Sequence, residues 1–386
     1  MSQTPQAGPL ATDLNAFRAE LRAYLASGAV DEYKDSYLED VHEELRHNSG
    51  LLQKLYAAGF GKYGVPPEVG GLGGDVRHWA ALYDELSLAG LPLTGQHALL
   101  TTLTFPIVHF APELAAKYLP EFLSGEKWWG QGFSESEAGS DMASMRCRAT
   151  REGDDYIVSG HKLWTSNGYT ASRVVTLVRT GTPESRHKGI SMLLIDADMP
   201  GVTIRPIALS SGREELAECF FDDVRVPADR LIGAENAGWS VAMYLLQFER
   251  ALWAWLRAAA LTARLRSLLA ELPPQTAASD EAHRTLGSFY LDLVALRARS
   301  VDTVRRLAAG ETVGPEASTD KLLLGAAEQS MYDAARTLFG ESFVLGEDAA
   351  RWREEWWYSR TTTIYGGSAE VQRGIIADRV LGLPKE

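Results

Sequence analysis

The chain has 386 residues, with 38 Lys+Arg against 51 Asp+Glu and a formal net charge of −13, which argues against general attraction to nucleic acid or to an anionic membrane surface. Its 45% hydrophobic and 23% charged content is that of an ordinary soluble globular protein, and at about 100–200 residues per domain the length suggests two or three domains or one large composite. Two cysteines, Cys147 and Cys219, make no disulfide framework and point to a reducing cytoplasm, while the eight histidines stand singly, so no metal site is expected.

The N-terminal residues 1–10 are polar and Pro-containing, without the apolar core of a signal peptide. No uninterrupted apolar run reaches about 18 residues, so no spanning helix is expected and the expected setting is the cytoplasm. From about Thr12 to Ser124 the texture is helical, broken by Gly and Pro. Phe17, Leu21, Tyr24 and Leu25 form a stripe at helical spacing. Residues 64–75 (GVPPEVGGLGGD) hold too much Gly and Pro for a regular element and read as a loop; helical texture resumes at 79–88. From about Glu126 to Gly233 the texture turns to strands, with RVVTLVR at 173–179 and ISMLLI at 190–195 bounded by turn residues, and CFFDDVRVP at 219–227 ending on a proline. Long helices return beyond Trp239, over 241–272, about 281–309 and 315–339. A last helix starts from Ser368 as N-cap and stops at Gly382.

Glu249 stands out by periodicity. Its helical neighbours at i−4, i−3, i+3 and i+4 are Leu245, Leu246, Leu252 and Trp253, so the carboxylate falls within the stripe that faces the interior. Burial disfavours the charged form, raises the pKa and makes a better base near neutral pH. The pattern leaves open an ion pair with a distant Lys or Arg, or a side chain reaching out to solvent. Adjacent Arg250 does not face Glu249 on a helix.

Four segments together resemble the acyl-CoA dehydrogenase family: FSESEAGSD at 133–141, GHKLWTSNG at 160–168, FFDDVRVPADRLIGAENAG at 220–238 and IYGGSAEVQR at 364–373. They occur in the family's order and spacing and extend the likeness from about Leu14 to Leu383. The resemblance implies an α+β fold: an N-terminal helical domain over 1–125, a middle β-barrel-like domain over 126–235 and a C-terminal four-helix bundle over 236–386. It also implies FAD, and a reaction in which a base removes the proton alpha to a thioester while the flavin takes a hydride from the beta carbon. Gln131, Phe133, Ser134, Trp164 and Ser166 match positions at the flavin. Without its flanking motif, Trp164 reads first as a core aromatic. Ser368 and Glu370 match FAD contacts around a helix start, though an N-cap role for Ser368 fits either reading. Ser140 matches a position near the pantetheine and phosphate of the acyl-CoA; its Gly-Ser-Asp turn is otherwise a simple connection.

Many relatives carry the catalytic Glu directly after the Tyr of the last motif. Here Gly366 stands there and cannot take a proton. A second subgroup places the base on a long helix before an Arg, as in Gln247-Phe248-Glu249-Arg250, so pattern and resemblance both select Glu249. Gln247 and Arg250 are implied to be substrate-side, with Arg250 helping to place the base, and the Gly366 N–H to bond the thioester oxygen. Implied partners are an acyl-CoA or an acyl carrier protein thioester, and an electron-transfer flavoprotein. Acyl-pocket width is expected to depend on packing around Tyr83, Leu86, Leu99 and Trp253.

Two positions depart from the family. His283, beside Arg284, stands where relatives carry an Arg that reaches the FAD pyrophosphate of a neighbouring subunit, and a neutral His is the weaker phosphate partner. Thr337 replaces a usual Gln. Such changes fit one member of a heterotetramer, so homotetramer and heterotetramer both stand, as do a same-fold flavin monooxygenase (an N-hydroxylase) and a silent partner-stabilising subunit. On so acidic a chain, phosphates must be met locally, by helix N-termini, glycine-rich turns and cations such as Arg146, Arg148 and Lys188.

Overall fold

The apolar stripe at Phe17, Leu21 and Leu25 is buried on helix α1 (Leu14–Ala26), while Tyr24 is half-buried. The computed structural model describes residues 13–34, 38 and 40–384, and the polar residues 1–10 lie outside the described residues. The chain forms two units, with described residues 13–21, 38–78 and 94–248 in one and 22–34, 79–93 and 249–384 in the other.

In the first unit, helix α2 (Val41–Ala57) is capped by Asp40, whose carboxylate accepts from the Glu43 N–H at 2.8 Å. The glycine-rich 64–75 segment is less irregular than expected, because Val65 and Gly73 form an antiparallel bridge. Helix α3 (Val76–Leu88) begins in this unit and continues in the second. Helices α4 (Gly95–Phe110) and α5 (Pro112–Leu123) follow, each running through an internal proline. Tyr118 of α5 carries the guanidinium of Arg173 at 4.4 Å and that of Arg230 at 4.3 Å from its ring centroid, which ties the helix to the strands.

The β domain is one seven-stranded mixed sheet: β1 (Trp129–Gly132), β2 (Arg148–Glu152), β3 (Asp155–Ser166), β4 (Arg173–Arg179), β5 (Ile190–Asp196), β6 (Val202–Ile207) and β7 (Leu216–Pro227). Its order is β1-β4-β2-β3-β7-β6, with β5 paired to β4. Strand β4 pairs with β5 along its whole length and shares its other edge between β1 and β2. Both strands are buried at nearly every position, which explains why 173–179 and 190–195 read as continuous apolar runs. Tyr156, Val158, Leu193, Phe221 and Val224 form part of the core beneath.

The second unit is helical. Helix α6 (Gly238–Glu271) enters it at Glu249, followed by α7 (Pro274–Ala277), α8 (Asp280–Ala308), α9 (Ala317–Phe339), α10 (Glu341–Leu345), α11 (Ala350–Thr361) and α12 (Ala369–Ile375). Leu261, Phe289, Leu296, Met331 and Trp352 from α6, α8, α9 and α11 share one buried core, the four-helix bundle. Helix α12 passes into a π turn over Ile376–Val380 before the expected stop at Gly382. No helix among the described residues is long and apolar enough to cross a membrane.

Candidate active site

In the first unit, one buried lysine holds the two motif segments together. Lys162 of β3 is 0% exposed and donates to the Phe133 carbonyl at 3.1 Å and to Glu135 Oε1 at 2.7 Å. Glu135 also accepts from the N–H groups of Arg146 at 2.7 Å and Cys147 at 3.0 Å. Burial pushes the Glu135 carboxyl up, but the Lys162 ammonium and these hydrogen bonds outweigh it and hold the group below its ordinary value. The Leu163 N–H donates to the Ser134 carbonyl at 2.9 Å. Buried Phe133 and half-buried Ser134 are therefore pinned beside the end of β3.

That end of β3 is irregular by design of its sequence. Gly160 passes so close to Cys147 that a Cβ would lie 2.6 Å from the Cys147 Cα, so no larger residue fits there. The pairing with β7 slips between Lys162 and Thr165, and within the slip Trp164 takes φ 65. A bulky residue in the left-handed region costs roughly 1–2 kcal/mol, and such strain is a pointer to function when the structure enforces it. Trp164 is also 52% exposed. The core-aromatic reading is thereby excluded. Its indole offers a flat face, with the exposed Ser166 hydroxyl two residues on and Ser134 held beside the strand. Those groups fit a planar heteroaromatic ring with polar edges, as a flavin has. Gln131 is half-buried on β1, and Ser140 is exposed on its turn.

In the second unit, Glu249 is half-buried, where periodicity expects enclosure. Leu245 and Leu252 are buried, but Leu246 and Trp253 are only partly so. The backbone at Gly366 and Gly367 is left-handed, with φ +63 and +90. A Cβ on Gly366 would lie 3.2 Å from Glu249 Oε1 and 3.5 Å from Lys321 Cε. The glycine thus puts the carboxylate directly beside the turn. The Gly366 N–H finds no hydrogen-bond partner among the described residues, while the carbonyls of Gly366 and Gly367 accept from the buried Gln372 amide at 3.2 and 3.3 Å. The peptide is held with a donor to spare.

Behind the turn lies a polar network that periodicity does not reveal. Lys321 of α9 is 5% exposed; its ammonium donates to the Thr362 carbonyl and lies 4.1 Å over the Tyr365 ring. Glu328, 0% exposed, pairs with Arg257 and accepts from the Thr362 hydroxyl. The Trp253 indole donates to the Tyr365 hydroxyl at 3.2 Å. Burial lowers the Lys321 pKa to about 8 against the attraction of Glu328 and Glu249, with Arg250 lowering it further. Arg250 is itself lowered by burial, partly offset by Glu249, and its Nε is buried without a hydrogen-bond partner. The test that found Glu249 does not find Lys321, whose helical neighbours Ala317, Ser318, Leu324 and Gly325 make no apolar ring and whose preceding residue is Asp320.

Ser368 caps α12, its Oγ accepting from the Val371 N–H at 3.3 Å. Glu370 is exposed, 3.7 Å from Arg373. Tyr83 and Leu86 are enclosed and Trp253 is half-buried in the second unit, while Leu99 is half-buried in the first. Of the expected phosphate-facing cations, Arg146 pairs with Glu137 at 3.2 Å, and Arg148 and Lys188 are exposed. His283 and Arg284 are exposed on α8, and Thr337 is exposed on α9.

Three family models match the chain: acyl-CoA dehydrogenase, N-terminal domain, at residues 12–126; middle domain, at 130–224; and C-terminal domain, at 236–381. The chain is 36% identical over 385 residues to acyl-CoA dehydrogenase IpdE1 of Mycobacterium tuberculosis, a match covering 97% of this chain and 99% of that protein. The solved structure of the Tcur3481-Tcur3483 steroid ACAD matches with a TM-score of 0.84 and 27% identity, over 97% of this chain and 98% of that one. The ChsE4-ChsE5 complex from Mycobacterium tuberculosis matches with a TM-score of 0.80 and 26% identity, over 100% of both chains.

Proposed function

The chain belongs to the acyl-CoA dehydrogenase family, and from that premise we propose that it catalyses FAD-dependent α,β-dehydrogenation of an acyl thioester, acyl-CoA to trans-2-enoyl-CoA. The observation that carries this reading is the pairing of a carboxylate with an unoccupied amide donor: Glu249 Oε1 lies 3.2 Å from the Cβ position of Gly366, whose N–H is unpartnered among the described residues. Glu249 takes the α-proton and becomes neutral. The Gly366 N–H donates to the thioester oxygen and stabilises the charge that develops there as the proton leaves; one preorganised donor of this kind is worth about 3–4 kcal/mol. Bound flavin supplies the acceptor for the β-hydride. Phe133, Ser134, Trp164, Ser166 and Gln131 would hold its ring, and Ser368 and Glu370 would meet the rest of the FAD. The buried, unpartnered Nε of Arg250 supports its role beside the base, with Gln247 and Ser140 on the thioester side. Electrons then pass to an electron-transfer flavoprotein in the cytoplasm.

A solved relative described as a steroid ACAD puts ring-bearing acyl-CoAs first among substrates. Anaerobic mixing with straight, branched, long-chain and steroid-bearing acyl-CoAs tests this. Bleaching of the flavin by a steroid-bearing member first is expected; bleaching by none, together with NADPH-driven oxygen consumption in a parallel aerobic assay, favours the same-fold monooxygenase.

Heteromeric assembly is a second reading. It is supported by the exposed His283 in place of a phosphate-binding Arg and by solved relatives that are complexes of two chains. The chain purified alone is then expected to be colourless; full yellow occupancy in a homotetramer rejects this reading.

A further inference from the structure

Lys321 lies in the apolar interior of the bundle, where an ammonium is costly unless its donors and charge are both answered. Its Nζ donates to the Thr362 carbonyl, its charge lies 4.1 Å over the Tyr365 ring, and its Cε is 3.5 Å from the Cβ position of Gly366. All three contacts fall on one turn, 362–366, and Glu249 Oε1 lies 3.2 Å from that same Gly366 position. We infer that Lys321 is a positioning residue: it fastens the Gly366 turn to α9 and, by its charge, keeps Glu249 ionised and aimed at the turn. This rests on the proposed role of Glu249 as base.

The groups facing Lys321 can be named element by element. Helix α9 contributes Glu328, about two turns along; α6 contributes Glu249, Arg250 and, through its pair with Glu328, Arg257; the turn contributes Tyr365. Arg373 of α12 lines the same cavity of about 240 Å³ as Lys321 and Thr362. Glu328, although paired with Arg257 and bonded by the Thr362 hydroxyl, supplies the larger attraction on the Lys321 charge, and Glu249 supplies the second. With Lys321 lowered to about 8, the ammonium is present below that pH and is lost above it.

The test uses full-length enzyme carrying [5-13C]glutamate, with the Glu249 carboxyl resonance identified by its loss in Glu249→Gln. Lys321→Met removes the charge at similar size and is expected to raise the Glu249 titration midpoint by about one pH unit, since one unit is about 1.4 kcal/mol of differential interaction. Lys321→Arg is expected to restore it. In the wild-type protein, which needs no variant to fold, the Glu249 resonance is expected to show a second inflection near the Lys321 value of about 8. An unchanged midpoint in Lys321→Met, or a wild-type resonance without that inflection, overturns the inference. These readouts need no substrate, so they are separate from the outcome for the base itself. A Glu249→Gln protein that bleaches normally removes the assignment of Glu249 as base and leaves the electrostatic coupling standing.

Discussion

At residue 366 a hydrogen in place of a methyl decides whether the Glu249 carboxylate keeps its place. Gly366→Ala sets a Cβ 3.2 Å from Glu249 Oε1 on a backbone at φ +63. A loss of about 1–2 kcal/mol in urea unfolding is expected from the backbone alone, and flavin reduction is expected to slow because the carboxylate must shift. A variant of wild-type stability and rate would show that the turn is loose. Glu249 was legible in the sequence because a single carboxylate in an apolar stripe breaks a short-range pattern. Its half-burial was not, since exposure depends on which elements cover α6. Lys321 was illegible for a related reason: its acceptor, the Thr362 carbonyl, is 41 residues away and carries no side-chain signature.

At the scale of elements, the Lys162–Glu135 pair joins the segment after β1, the approach to β2 and the bulged end of β3. Removing one partner of a buried pair strands the other charge and costs about 3–5 kcal/mol. Lys162→Met is therefore expected to lower the urea midpoint strongly. Lys162→Met combined with Glu135→Leu is expected to recover much of that loss, because no charge is left stranded; a double variant no more stable than the single would contradict the account. Strands β4 and β5 were legible because they are buried along nearly their whole length. Strand β2 is exposed at four of its five positions, and β6 alternates half-buried with exposed residues and is interrupted by Pro206, so neither carries a continuous apolar run. Helix α11 (ARWREEWWYSRT) lacks an apolar stripe. It is held instead by Trp352, which donates to Glu271 at 2.6 Å beneath the Arg264 guanidinium at 3.7 Å, a set of partners that only the folded chain brings together.

At the scale of the whole molecule, a net charge of −13 and two anionic ligands are compatible only if local groups do the binding. The expected cations Arg146, Arg148 and Lys188 are exposed, and the bundle cations Lys321, Arg257 and Arg264 are engaged with carboxylates and carbonyls of the chain itself. Charge therefore excludes broad polyanion binding while leaving the reaction to a few positioned groups, of which Glu249 is the centre. The most direct measurement is anaerobic stopped-flow reduction of the flavin in wild-type and Glu249→Gln proteins with the acyl-CoA that bleaches wild type fastest. Loss of a positioned general base is expected to slow reduction about a hundred- to ten-thousandfold while the flavin remains bound. Reduction of Glu249→Gln at the wild-type rate would contradict the assignment of Glu249 as the base.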